Sequence, residues 1–198
     1  NDLRSLGHKI KHVDLGGGLG VTYSDDDNVP TFKEYASLIQ SIFGNLNIEV
    51  YIEPGRLLVA NSGLLVTRVI DIKTTSQKTF VIVDAAMNDF IRPTLYNSYH
   101  EILPVKNNLG TSNKLYDIVG PICETGDYFA KNRNMNSVQV GSLIAIKSVG
   151  AYGSVLSSNY NSRPQIAEII VQNDKYEVIR ERVEVKDMLT RERIANWL

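Results

Sequence analysis

Apolar positions follow a helical period in one early stretch and alternate along many later ones. In "PTFKEYASLIQSIFG", Phe32, Tyr35, Ala36, Ile39, Ile42 and Phe43 recur three and four residues apart, which gathers them on one face of a helix. Thr31 and Glu34 have the spacing of a capping box, in which the hydroxyl and the carboxylate each satisfy an orphan backbone N–H. Gly44 stands where such a helix stops. Upstream, "HVDL" (12–15) reads as a short buried strand that ends in glycines. Downstream, "NIEVYIEPG" reads as a strand running into a turn. Residues 12–54 are thus predicted as strand, loop, helix, strand, a β–α–β unit that implies a parallel sheet.

After Gly55 the texture changes. "LLVTRVIDIK", "KTFVIVDA", "SVQVGSLIAIKSVG", "QIAEIIVQN" and "KYEVIRERV" are β-branched, strand-like and separated by polar turns. Asn107, Asn108 and Gly110, and later Asn132, Asn134 and Asn136, are expected in loops. "EVKDMLTRERI" is a short helix candidate near the end. The expected organisation is an α/β segment over 1–60 and a mostly β domain over 61–198, the boundary falling near 58–65. No internal repeat is visible.

Composition narrows the function classes. A chain of 198 residues can hold one substantial core or two modest ones. With 21 basic against 22 acidic residues, net charge −1, there is no electrostatic footprint for nucleic acid or an anionic membrane. The single cysteine excludes an internal disulfide and points to a reducing, cytoplasmic compartment. No apolar run spans a bilayer, and "NDLRSLGHKI" is no signal peptide. The chain begins at Asn1 and reaches its first strand with nothing laid down for it to pair with. It is therefore expected to be a piece of something longer.

Three stretches carry chemistry. "DLGGGLG" (14–20) lets backbone N–H groups approach an anion without Cβ interference. A dinucleotide fingerprint fails on register, because Val21 and Tyr23 stand where glycine is required. A phosphate loop and a plain strand-to-helix turn weigh equally here. "EPGR" (53–56) ends the second strand, and ligands of parallel sheets sit at the carboxyl ends of strands. Arg56 can grip an anion with two prongs, and Glu53 can pair with a protonated ring nitrogen. Four residues alone also suit a rigid loop with a surface ion pair. In "GPICETGD" (120–127), Cys123 lies beside Glu124 and near Asp127, either as a buried filler or as a reacting group. His8, His12 and His100 lack ligand spacing and read as structural or surface residues, so no metal site is expected. The run Asp25 to Asp27 reads as a solvated loop, and Trp197 as a packing residue.

These motifs, followed in order by "RPTLYNSYHEI" (92–102), "CETGD" (123–127) and "AYGSVLSSNYNSRP" (151–164), resemble the fold-type III decarboxylases that use pyridoxal 5'-phosphate. The order is that of the family's diaminopimelate branch. The resemblance covers about residues 8–164. It implies the C-terminal end of a cofactor-binding (β/α)8 barrel followed by a β-sandwich or β-barrel-like domain. It also implies a carboxy-lyase that turns meso-2,6-diaminopimelate into L-lysine and CO2. By the same resemblance, Gly17, Gly18, Gly55, Arg56 and Tyr152 hold the cofactor phosphate, and Glu53 faces the pyridine nitrogen. Arg92 and Tyr96 take the distal substrate carboxylate, with Arg56 and Tyr152 also near substrate. Glu124 pairs with the distal ammonium, and Cys123 is the general acid that protonates the carbanion. The family shares its active site across a homodimer, with the cysteine loop crossing over.

The family's cofactor-binding lysine and ring-stacking histidine precede the glycine loop, and neither motif occurs in this sequence. The chain alone is therefore expected to be inactive. Two other readings stand beside this one. One is a non-catalytic module that binds pyridoxal phosphate or an amino acid. The other is a related ornithine, arginine or carboxynorspermidine decarboxylase, although ornithine-type enzymes carry aspartate where Glu124 stands.

Overall fold

In the computed structural model, which describes residues 2–106, 113–190 and 192–198, the chain opens with a single turn of helix, α1 (Asp2–Ser5), and strand β1 (His12–Asp14). Helix α2 (Phe32–Phe43) follows, with the full capping box: Thr31 Oγ1 accepts the Glu34 N–H at 3.2 Å and Glu34 Oε2 accepts the Thr31 N–H at 2.8 Å. Gly44 ends the helix for a reason other than left-handed backbone. Its φ is −57°, and the turn itself comes at Asn47, φ 46°. A Cβ at Gly44 would lie 2.5 Å from the Gln40 carbonyl oxygen, so the glycine supplies space. Strand β2 (Glu49–Tyr51) pairs in parallel with β1, Val13 opposite Val50. The β–α–β unit is present. The "EPGR" turn runs directly into a short helix, α3 (Gly55–Val59), and a 3₁₀ turn at Ala60–Ser62.

The larger sheet begins with β3 (Leu64–Thr74) and β4 (Thr79–Val83). Helix α4 (Arg92–Tyr96), β5 (Ile102–Pro104), β6 (Asn113–Val119), β7 (Tyr128–Asn136) and β8 (Leu143–Lys147) follow. Six strands lie in the order β5-β8-β3-β4-β6-β7, antiparallel throughout except for the parallel pair β4–β6. The alternation in β3 sends Leu65, Thr67 and Val69 inward and their neighbours outward. Leu65 and Val69 form one core with Val81, Val83, Phe90, Ile118, Phe129, Ile144 and Ile146. The edge strands come together: Arg133 on β7 donates from Nη1 to the His100 carbonyl at 2.8 Å, just before β5, and its guanidinium lies 4.0 Å over the Tyr99 ring. The sheet thereby curls to near closure, which leaves little open edge. An antiparallel hairpin, β9 (Glu168–Gln172) and β10 (Lys175–Arg180), and a last helix α5 (Val185–Leu189) complete the described chain.

Several expectations change. Strands β5, β6 and β7 lie outside the predicted strand set. Asn132, Asn134 and Asn136 belong to β7 and not to a loop. Asn132 is left-handed at φ 49°, and its N–H donates to Asp117 Oδ1 at 2.7 Å where the β6–β7 register shifts. It marks a bulge inside a strand. Asn107, Asn108 and Gly110 lie outside the described residues. Of "SVQVGSLIAIKSVG" only Leu143–Lys147 is strand, because Gly141 turns the chain at φ 88°. Trp197 is 84% exposed rather than packed, since Ala195 to Leu198 form only a terminal turn.

A second, small cluster crosses the predicted boundary. Val21, Ala60 and Ala151 are buried together, with Tyr23 and Leu57 against them. Gly150 donates to the Ala60 carbonyl at 3.0 Å, and a Cβ on it would collide with the Val59 carbonyl. The loop carrying Tyr152 is thus docked on the end of α3.

Candidate active site

The two loops at the carboxyl ends of β1 and β2 touch. Glu53 N–H donates to the Gly16 carbonyl at 2.8 Å, and a Cβ on Gly17 would stand 2.5 Å from the Glu53 carbonyl oxygen. Gly16 and Gly18 are left-handed, φ 66° and 86°. Glycine is needed at Gly17 for the close approach and at Gly16 and Gly18 for the turn. Space around a Cβ position is open at Gly18 and at Gly55. Among the described residues no side-chain hydrogen bond or ion pair engages Glu53 or Arg56.

A second set of contacts is organised by residues 84–92. Thr67 Oγ1 and the Arg68 N–H both donate to Asp84 Oδ1, at 2.6 and 2.8 Å. Asp89 Oδ2 accepts the Ala86 N–H at 2.9 Å. Burial raises the Asp89 carboxyl above its usual range, against the pull of that N–H and of Arg163. Arg163 donates to Asn88 Oδ1 at 2.9 Å and to the Asp84 carbonyl at 2.6 Å. Its place in "SSNYNSRP" is therefore to hold this turn.

Pro93 sits in the first turn of α4, where its missing N–H costs nothing. Arg92 is buried there. Its Nη1 donates to the Tyr23 hydroxyl at 2.8 Å and lies 3.3 Å from His100 Nε2. Its guanidinium carbon is 5.4 Å from the Tyr23 ring and 5.7 Å from the Tyr152 ring. Tyr152 is left-handed, φ 62°, and half exposed. Tyr96 lies one turn along α4 from Arg92 and is exposed. Tyr23 and His100 are partners that no sequence pattern marks.

The "GPICETGD" segment is the loop between β6 and β7. Asp127 closes it from within: Oδ2 accepts the Ile122 N–H and Oδ1 the Met87 N–H, both at 2.7 Å. Burial raises the Asp127 carboxyl while these two N–H groups pull it down. Its carboxylate is thus turned inward and holds the shape of the loop. Cys123 is exposed, which removes the buried-filler reading. Glu124 Oε1 accepts the Gly126 N–H at 3.0 Å and Oε2 the Tyr160 hydroxyl at 3.4 Å. Thr94 Oγ1 donates to the Gly126 carbonyl, tying the loop to α4.

The described contacts therefore form three groups. Gly17 meets Glu53; Arg92 meets Tyr23, His100 and Tyr152; Glu124 sits with Cys123 on the β6–β7 loop. No described side-chain contact joins Cys123 or Glu124 to Arg92. Lys147 is occupied elsewhere, in an ion pair with Glu101 at 2.5 Å that raises its pKa. Among the described residues no cluster of three His, Cys, Asp or Glu side chains could hold a metal.

A mixed, nearly closed sheet of this kind is the fold of a known group. The family described as "Pyridoxal-dependent decarboxylase, C-terminal sheet domain" matches residues 20–150, and the chain belongs to it. Among curated relatives, the diaminopimelate decarboxylase of Zymomonas mobilis is 47% identical over 99% of this chain and 46% of its own length. The M. jannaschii diaminopimelate decarboxylase, solved in co-complex with L-lysine, superposes with a TM-score of 0.91 at 35% identity, over 100% of this chain and 46% of that one. The Helicobacter pylori enzyme complexed with L-lysine gives a TM-score of 0.84 at 40% identity, over 95% of this chain and 46% of that one. The chain spans about half the length of the relatives it matches.

Proposed function

We propose that this chain is the C-terminal part of a pyridoxal-phosphate-dependent decarboxylase that converts meso-2,6-diaminopimelate to L-lysine and CO2. On this reading residues 1–60 end the (β/α)8 barrel, residues 61–198 form the β domain, and the enzyme is a cytoplasmic homodimer. The observation that carries it is the 47% identity to a diaminopimelate decarboxylase along 99% of the chain. The site residues support it. Gly17, Gly18 and Gly55 lie on two loops at one end of a parallel pair, and Glu53 and Arg56 are free of side-chain partners among the described residues. Backbone N–H groups and a guanidinium are the donors that a phosphate requires, and a carboxylate is the acceptor that a protonated ring nitrogen requires. The residues fit the cofactor.

When bound, pyridoxal phosphate supplies the electron sink for the pair released as CO2 leaves. This chain's own residues contribute binding, orientation and the proton. Gly17, Gly18, Gly55, Arg56 and Tyr152 would hold its phosphate, and Glu53 would keep its ring nitrogen protonated. Arg92 and Tyr96 orient the distal carboxylate of the substrate. Glu124 takes the distal ammonium and rejects analogues without it, because a desolvated carboxylate would be left unpaired. Cys123 delivers its Sγ proton to the carbon that lost CO2. Its exposure suits a thiol that reaches into a partner subunit's site.

The test is CO2 release by the complete enzyme from meso-diaminopimelate, ornithine and arginine, for the native protein and for Cys123→Ala. Preference for diaminopimelate, with a large fall in turnover and retained cofactor absorbance in the variant, is expected. Preference for ornithine or arginine would overturn the substrate, and full turnover in Cys123→Ala would remove the acid. The cofactor-binding lysine lies outside these 198 residues on this reading, so the polypeptide alone is expected to release no CO2.

A further inference from the structure

Arg92 has five N–H groups in a rigid planar fork. Both hydrogens of Nη1 are committed, one to the Tyr23 hydroxyl at 2.8 Å and one to His100 Nε2 at 3.3 Å. Nε and Nη2 have no partner among the described residues. No fully buried side-chain nitrogen or oxygen among those residues lacks a partner, so these two donors keep some accessible surface although Arg92 is only 7% exposed. The Nε–Nη2 edge is one of the two edges that can bind a carboxylate with parallel hydrogen bonds.

The histidine is built to accept. His100 Nδ1 lies 2.9 Å from the Lys147 carbonyl, which can only accept, so Nδ1 carries the proton and Nε2 is a lone pair. The ring is 0% exposed and is walled edge-on by Phe90 at 4.6 Å and Tyr23 at 5.0 Å. The charged groups facing it, Arg92 and Arg133, oppose a second proton, as does burial. The imidazole is therefore a neutral, fixed acceptor against a guanidinium.

We infer that His100 and the Tyr23 hydroxyl are positioning residues: by saturating Arg92 Nη1 they turn the Nε–Nη2 edge outward to take the distal carboxylate of the substrate. The inference rests on the reading of Arg92 as the carboxylate ligand. A free arginine would sample many rotamers, and its fork would have to be ordered at each binding event. Here that ordering is built in before substrate arrives.

The experiment uses the complete decarboxylase with Arg92→Ala, His100→Leu, His100→Gln, Tyr23→Phe and the double variant Arg92→Ala/His100→Leu. KM for meso-diaminopimelate and kcat per cofactor-loaded site are measured, with melting temperature as a fold control. Removing the acceptor in His100→Leu is expected to raise KM about tenfold or more, the scale of one hydrogen bond to a charged group, with kcat changed far less. His100→Gln, which keeps an acceptor at similar reach, recovers part of the loss. Tyr23→Phe raises KM by a smaller factor, and His100→Leu adds nothing in the Arg92→Ala background. A purely structural histidine would instead lower the loaded fraction and the melting temperature and leave KM unmoved, which would overturn the inference. If His100→Leu does not fold, an unchanged KM in Tyr23→Phe overturns it equally. An Arg92→Ala enzyme with native KM would fail the reading of Arg92 itself, a separate result from a raised KM in Arg92→Ala with native KM in the others.

Discussion

At the scale of single residues, two positions have consequences that follow from geometry alone. A Cβ at Gly17 would sit 2.5 Å from the Glu53 carbonyl oxygen, and that backbone cannot retreat freely because the Glu53 N–H is bonded to Gly16. Gly17→Ala is expected to push the two loops apart, to cost about 1–3 kcal/mol, and to lower cofactor retention, read from absorbance after gel filtration. His100 is the other. Burial holds its pKa down to about 4, against 6.5 for an ordinary imidazole. The stability contributed by the neutral ring is present above pH 6.5 and is lost as pH falls through 4, amounting to roughly 3 kcal/mol. Unfolding midpoints of the native protein should drop across that window, and His100→Gln should flatten the drop. Asp127 has a structural task that its place beside the cysteine does not reveal. It follows Cys123 by four positions, yet its two oxygens are spent on the N–H groups of Ile122 and Met87.

The elements differ in how much of them a linear reading could reach. Asn132 in β7 is left-handed at φ 49°, a conformation that disfavours β-branched residues by about 1–2 kcal/mol. Asn132→Val should lower the unfolding free energy by that amount, read as a shift of the denaturant midpoint, and Asn132→Gly should leave it nearly unchanged. The same bulge explains why β7 was missed. Phe129, Ala130 and Met135 are buried while Lys131 and Asn132 are exposed, so the alternation breaks in the middle and asparagines read as turn. Strand β5 has three residues, too few for any period to register. Helix α2 was legible because its period and its cap are both local. The candidate site divides along the same line. Arg92, Glu53 and Cys123 stand in recognisable motifs. Tyr23 reaches Arg92 across 69 positions, and no short-range pattern encodes that pairing. His100 lies within the quoted stretch, but its role depends on Lys147, 47 positions away.

For the molecule as a whole, closure of the sheet depends on a few bonds between edges. Arg133 donates to the His100 carbonyl and stacks on Tyr99. Arg133→Met should lose a hydrogen bond from a charged donor, about 1.5–3 kcal/mol, and speed amide hydrogen exchange in β5. Among the described residues no helix is long and apolar enough to cross a membrane. The parallel β4–β6 pair also sets a timetable. Strands β3 and β4 meet through a short turn and β6 and β7 through the eight-residue loop 120–127, so each antiparallel pair is local in sequence and can form as soon as it is made. The cysteine loop belongs to the second of these hairpins, so it is laid down early. Arg92 and His100 lie in the long crossover between β4 and β6, and β5, which follows them, must wait for β8. Contacts that close long loops come late in folding. During refolding, therefore, the loop that would carry the acid should regain protection first, and the arginine that would grip the substrate should be the last part of the molecule to arrive.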